Sequence, residues 1–145
     1  MKKYFVIVVS VCLLMSCNGR IKKEVVETYG DGSPKVERQY MIRNGEKELV
    51  KEVAFFPGKK IYMEGEYKNN KRNGRWVSWY QNGNKWSEGY FKDGLSDSLR
   101  ITYYENGNKC YEGYYKNGVK TGIWKFWLEN GKPDKEVDLS AKPTP

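Results

Sequence analysis

Three glutamates, Glu64, Glu88 and Glu112, recur 24 residues apart, and paired carboxylates are the groups that glycoside hydrolysis needs. Their regularity points elsewhere, because equivalent positions in successive repeats normally form structural ladders. The chain contains no histidine, so the usual proton shuttle near neutral pH and the commonest metal ligand are both missing. Neither a phosphate-cradling Gly-Lys-Ser/Thr loop nor a Gly-x-Ser-x-Gly nucleophile motif occurs. The expectation is a protein that is not an enzyme, with no catalytic residue, metal site or cofactor. What the sequence offers instead is aromatic surface. Trp79, Tyr103 and Trp127 stand at equivalent positions, flanked by Trp76, Tyr80, Trp86, Tyr104 and Trp124. Such a set can grip a protein partner or stack on sugar rings, and it can equally fill a core.

The elements that must position these rings are set out by turns. Asn82-Gly83, Asn106-Gly107 and Asn130-Gly131 recur every 24 residues, and Pro57-Gly58 and Asp31-Gly32 extend the series upstream at spacings of 25 and 26. Between them falls a second series, Asn69-Asn70, Asp93-Gly94 and Asn117-Gly118, which Asn44-Gly45 extends. Asn-Gly is expected wherever a tight hairpin turn needs positive φ at both central residues, so Gly83, Gly94, Gly107, Gly118 and Gly131 are assigned as structural turns. Between turns the residues are strand-like: 76–80, 100–104 and 124–128 align as one strand, and 62–67, 86–91 and 110–115 as the other. The fold class is therefore all-β, an antiparallel meander of tandem hairpins of about 24 residues each. Both sides of the first strand are partly apolar, with Trp76, Ser78 and Tyr80 on one and Val77 and Trp79 on the other. That favours a single sheet over a sandwich or barrel, which stay open alternatives. The glycine inside the second strand, at Gly65, Gly89 and Gly113, predicts a bend, a bulge or a ring lying across bare backbone.

Ahead of the repeats, Lys2-Lys3 followed by a nearly continuous apolar run to Met15 reads as an export signal over 1–16. The run is shorter than the roughly 20 residues a spanning helix needs. Leu14-Met15-Ser16-Cys17 resembles the lipobox of bacterial lipoproteins, which implies acylation of Cys17 and a chain anchored to a membrane without crossing it. Asn18 is not the acidic residue that retains some Gram-negative lipoproteins at the inner membrane, so the resemblance implies the cell envelope and its outer membrane. Residues 17–28 are then the lipidated cysteine and its tether, 29–140 the repeat domain, and 141–145 a tail. No disulfide is expected: Cys12 leaves with the signal, Cys17 is lipidated, and Cys110 occupies a repeat position held elsewhere by Tyr62 and Trp86, which suits a packed thiol.

The net charge of +8 falls to +6 without Lys2 and Lys3. This excess suits an anionic partner, and also the plain solubility of a sheet with lysine on its turns. Export argues against nucleic acid. The run from Gly74 to Lys85, the recurrent Glu-Gly-Tyr-Phe/Tyr step and the Asn117 to Trp124 link resemble MORN-repeat variants, closely over 59–132 and in eroded form over 29–58. Asp97-Ser98-Leu99-Arg100 departs from the Gly-x-Trp pattern and places one unit's packing in question. The resemblance implies a single-sheet MORN-like fold and a non-catalytic interaction module, for a protein partner or for envelope glycan or lipid. Because such repeats occur in proteins labelled YwqK-type antitoxins, it implies an antitoxin or immunity protein as the alternative.

Overall fold

The computed structural model describes residues 19–140. The expected export signal over 1–16, Cys17 and the expected tail at 141–145 lie outside the described residues. Ten strands follow one another: β1 (Arg20–Thr28), β2 (Pro34–Arg43), β3 (Glu46–Phe55), β4 (Ile61–Lys68), β5 (Lys71–Trp79), β6 (Lys85–Lys92), β7 (Leu95–Tyr103), β8 (Lys109–Lys116), β9 (Val119–Trp127) and β10 (Pro133–Asp138). They form one open antiparallel sheet in chain order, the all-β meander expected from the turn spacing. No helix among the described residues is long and apolar enough to cross a membrane.

The expected tether over 17–28 is corrected by this arrangement, since from Arg20 onward it is strand β1, paired from Arg20↔Ile42 to Thr28↔Pro34. Its charges, which read as a solvated linker, are matched within the sheet: Glu24 meets Lys22 on its own strand and Lys47 on β3, and Glu27 meets Lys35 on β2. The β-branched Ile21, Val25 and Val26 supply the strand preference.

The two turn series differ in mechanism. Asn44-Gly45, Asn69-Asn70, Asp93-Gly94 and Asn117-Gly118 have positive φ at both residues, as a two-residue hairpin turn requires. In the other series only the glycine is left-handed; Asn82, Asn106 and Asn130 are not among the positive-φ residues. There the asparagine works through its side chain. Its Oδ1 accepts from the backbone N–H two residues on, in Asn84, Asn108 and Lys132, the local turn mimicry to which asparagine is suited. Its Nδ2 reaches the next repeat, where Asn82 donates to the Glu105 carbonyl and Asn106 to that of Glu129. The expectation of two positive φ values thus holds for Gly94 and Gly118 and is corrected at Gly83, Gly107 and Gly131.

A single sheet has no second layer to cover it, and the buried apolar set among the described residues is small: Leu49, Val53, Ala54, Trp76, Val77 and Trp124. Along one face, cross-strand pairing sets Gly65, Trp76, Gly89, Arg100 and Gly113 in a row. A Cβ on Gly65 would strike the Trp76 indole, and one on Gly113 the Trp124 indole. The mid-strand glycine is therefore the bed on which a ring lies, one of the roles expected of it. The middle unit is the exception: Arg100 stands where the repeat otherwise has tryptophan, and its Nε is 3.2 Å from the Cβ position at Gly89.

The same unit departs at a second point. Gly74 and Gly122 take φ values of 68° and 66°, and their counterpart Ser98 takes 78°. A side chain in the left-handed region costs about 1–2 kcal/mol. Ser98→Gly is accordingly expected to raise stability by about 1 kcal/mol, seen as a higher urea midpoint at unchanged m-value.

Candidate binding site

Sheet alternation divides the candidate rings between two faces. Trp76 and Trp124 lie on the face of the glycine row and are only 4% and 1% exposed, so their assignment to a binding surface is corrected: they are core. Tyr67 and Phe91 pack edge-on against Trp76, at 5.4 and 5.9 Å between centroids. Tyr111 and Tyr115 flank Trp124 at 5.6 and 5.2 Å. A cation caps each indole, Arg72 at 4.1 Å over Trp76 and Lys120 at 4.3 Å over Trp124. The Trp76 indole N–H donates to the Glu66 carbonyl at 3.0 Å, whereas that of Trp124 is buried without a partner.

Tyr80 and Tyr104 are half-buried and spend their hydroxyls on structure. Tyr80 donates to the Tyr103 carbonyl and Tyr104 to that of Trp127, each at 2.9 Å, and Tyr29 repeats the bond to Phe55 at the start of the sheet. They are rivets between units more than contact residues. Cys110 is half-buried and free of any disulfide, in keeping with a packed thiol.

On the opposite face, Trp79, Tyr103 and Trp127 keep their equivalence and are half-buried. Each stands two strands from the next, roughly 10 Å apart by ordinary strand spacing. Lysines lie over two of them, Lys85 at 5.6 Å from the Tyr103 ring and Lys109 at 5.3 Å from that of Trp127. The three glutamates share this face and are each held by cations: Glu64 by Lys51, Glu88 by Arg75 and Lys85, and Glu112 by Lys109. They form a charge ladder, and no acid–base pair is set aside from it. Burial is the largest single influence on Glu88 and pushes its carboxyl up, but hydrogen bonds from Arg75, Lys85 and Tyr103 together hold it below the usual value.

The Tyr103 phenol is pushed up to about 12, by burial first and then by its hydrogen bond to Glu88. Between the ordinary tyrosine value near 10 and about 12, the folded chain binds more protons than the unfolded one. The stabilisation is intact below pH 10 and is lost as pH rises toward 12. Tyr103→Phe is expected to move the alkaline unfolding midpoint upward, as read by far-UV circular dichroism during a base titration.

Trp86 is 40% exposed. It sits at an irregularity in the β5–β6 pairing, between the pairs Ser78↔Ser87 and Trp79↔Lys85, and lines a groove on the glycine-row face with Arg72 and Arg100. These two arginines were not among the candidate residues. One signal for Arg100 was present, its occupation of a tryptophan position, but it read as repeat erosion. No group of His, Cys, Asp and Glu among the described residues is arranged to hold a metal ion.

No curated protein matches the chain. The family model for the MORN repeat variant matches it three times, over residues 72–93, 97–117 and 120–139. Each match takes in most or all of one hairpin, β5–β6, β7–β8 and β9–β10. With the strand pairing and the turn chemistry in agreement, the stretch between residues 72 and 139 is built of MORN-repeat-variant units.

Proposed function

We propose that the protein is an envelope lipoprotein, held by acyl groups on Cys17 at the outer membrane of a Gram-negative cell, and that its sheet displays a face for a protein partner. The coarser part follows from the family: this is a repeat-based, non-catalytic interaction module. The observation that carries the finer part is the row of Trp79, Tyr103 and Trp127 on the face away from the tryptophan core, with Lys85 and Lys109 laid over two of its rings. Flat amphipathic rings are what protein interfaces concentrate their energy in. The lipobox-like Leu14-Met15-Ser16-Cys17 supports the anchor, and several acyl chains would make attachment effectively permanent.

Two substitutions test the two halves separately. The double variant Trp79→Ser, Trp127→Ser is expected to lose its crosslinked partner in envelope preparations while its urea midpoint stays close to that of the parent. Unfolding of the variant would assign the rings to the core. Cys17→Ala is expected to abolish incorporation of a labelled fatty acid and to move the protein to the soluble fraction; unchanged membrane association would refute the anchor.

A further inference from the structure

The middle repeat departs from its neighbours in a concerted way. Position 76 is tryptophan capped by Arg72, and position 124 is tryptophan capped by Lys120. In the unit between them Arg100 replaces the ring and Ser96 stands at the capping position. The cation has moved from above the row into it, and the unit's own capping position carries no charge. Its guanidinium lies over bare Gly89, between the Phe91 and Tyr115 rings at 5.5 and 5.6 Å. Its Nε is buried with no hydrogen-bond partner, and an unmet buried donor costs about 1–3 kcal/mol, more when the group is charged. Neither Arg100 nor Arg72 enters an ion pair among the described residues.

Both arginines line one groove of about 570 Å³, together with Ser78, Ser87, Thr102 and Trp86. The three hydroxyl residues are successive cross-strand partners, Ser78↔Ser87↔Thr102. They make a row across three strands, roughly 10 Å long, one step along β7 from Arg100. No acidic residue lines the groove. Ser98, in the left-handed region, belongs to the same unit, so strain and an unpaired charge are concentrated where the repeat pattern is broken, as happens where a binding site is built at the expense of stability.

We propose that this groove binds an acidic oligosaccharide, with Arg100 and Arg72 taking a sugar carboxylate, the Ser78–Ser87–Thr102 row meeting ring hydroxyls, and the exposed Trp86 indole stacking on a sugar face. Guanidinium groups suit carboxylate through paired N–H donors. The floor is mid-sheet, where backbone groups are already used in the ladder, so an extended peptide has no edge to join here. The site lies on the opposite face from Trp79 and Trp127 and does not depend on the protein-docking reading.

The test titrates the full-length protein in detergent with tetragalacturonate, a uronic-acid oligomer, following heat by calorimetry and the Arg100 Nε–Hε cross-peak by NMR. Saturable binding that shifts this cross-peak and weakens as salt rises is expected, with no binding of the neutral maltotetraose. Arg100→Trp restores the residue of the neighbouring repeats; it is expected to fold, to melt no lower than the parent, and to lose affinity about tenfold or more. Should that variant fail to fold, Arg100→Gln serves the same purpose. Undiminished affinity in a folded Arg100 variant, equal binding of maltotetraose, equally tight binding of inorganic phosphate, or binding of phosphatidylglycerol vesicles without the oligosaccharide would each overturn the proposal. The Trp79→Ser, Trp127→Ser variant is expected to bind tetragalacturonate normally, which keeps failure of the two sites distinguishable.

Discussion

Replacing Trp124 by alanine is expected to cost about 3–5 kcal/mol, the range for emptying a fully buried large aromatic position. The ring is 1% exposed, lies on Gly113, and is flanked by Tyr111 and Tyr115 with Lys120 above it. A single-layer sheet cannot collapse around the vacancy from a second side, so little of that loss is recovered. Trp124→Phe should cost much less, because it keeps a ring on the glycine and removes an indole N–H that has no partner. Urea unfolding of the two variants reads the difference directly. If Trp124→Ala lost less than about 1 kcal/mol, the ring-on-glycine stack would not be what holds the last repeats together.

The second large effect lies on the other side of the same contact. Gly113→Ala places a methyl group inside the space of the Trp124 indole, and Gly65→Ala does the same to Trp76. Overpacking of this kind costs about 1–3 kcal/mol, and both sites are expected near the upper end because the obstacle is a rigid ring wedged between others. Gly89→Ala is the control within the same molecule. Its nearest neighbour is the Arg100 side chain at 3.2 Å, a flexible chain that can give way, so its cost is expected below about 1 kcal/mol. In an Arg100→Trp background the Gly89→Ala cost should rise to match the other two. Equal costs at all three glycines in the parent would mean that strand conformation, not the overlying side chain, sets the penalty.

Much of this architecture is legible in the chain because a repeat states its instructions several times. One Asn-Gly would be a weak turn signal; the same pair at 82, 106 and 130, interleaved with 93–94 and 117–118, fixes strand lengths and the meander. The mid-strand glycines carried their meaning too, since periodic return of a strand-weakening residue needs a ring or a bulge to explain it. What alternation could not supply was which face is core. Trp76 and Trp79 are equally large and equally apolar, and only cross-strand neighbours separate them: Gly65 and Gly89 beside the first, Lys85 beside the second. Tyr80 and Tyr104 were misjudged for a related reason, because a hydroxyl that bonds a carbonyl 23 residues away leaves no local trace. β1 escaped notice because its residues are mostly charged, and their partners on β2 and β3 cannot be read from its own segment. Arg100 was visible but undervalued: a lapse from a pattern looks like drift until the geometry shows what surrounds it.

The bonds between successive units carry a mechanical consequence. Tyr80 and Asn82 tie one end of the sheet to the following repeat, while at the other end the Gly94 amide reaches back to the Arg72 carbonyl and that of Gly118 to Ser96. Each of these fastenings spans one neighbour, so tension applied between the β1 end and the β10 edge would peel hairpins off in sequence. Such a strip yields stepwise instead of snapping, and whole units can be gained or lost in evolution without retuning the remainder.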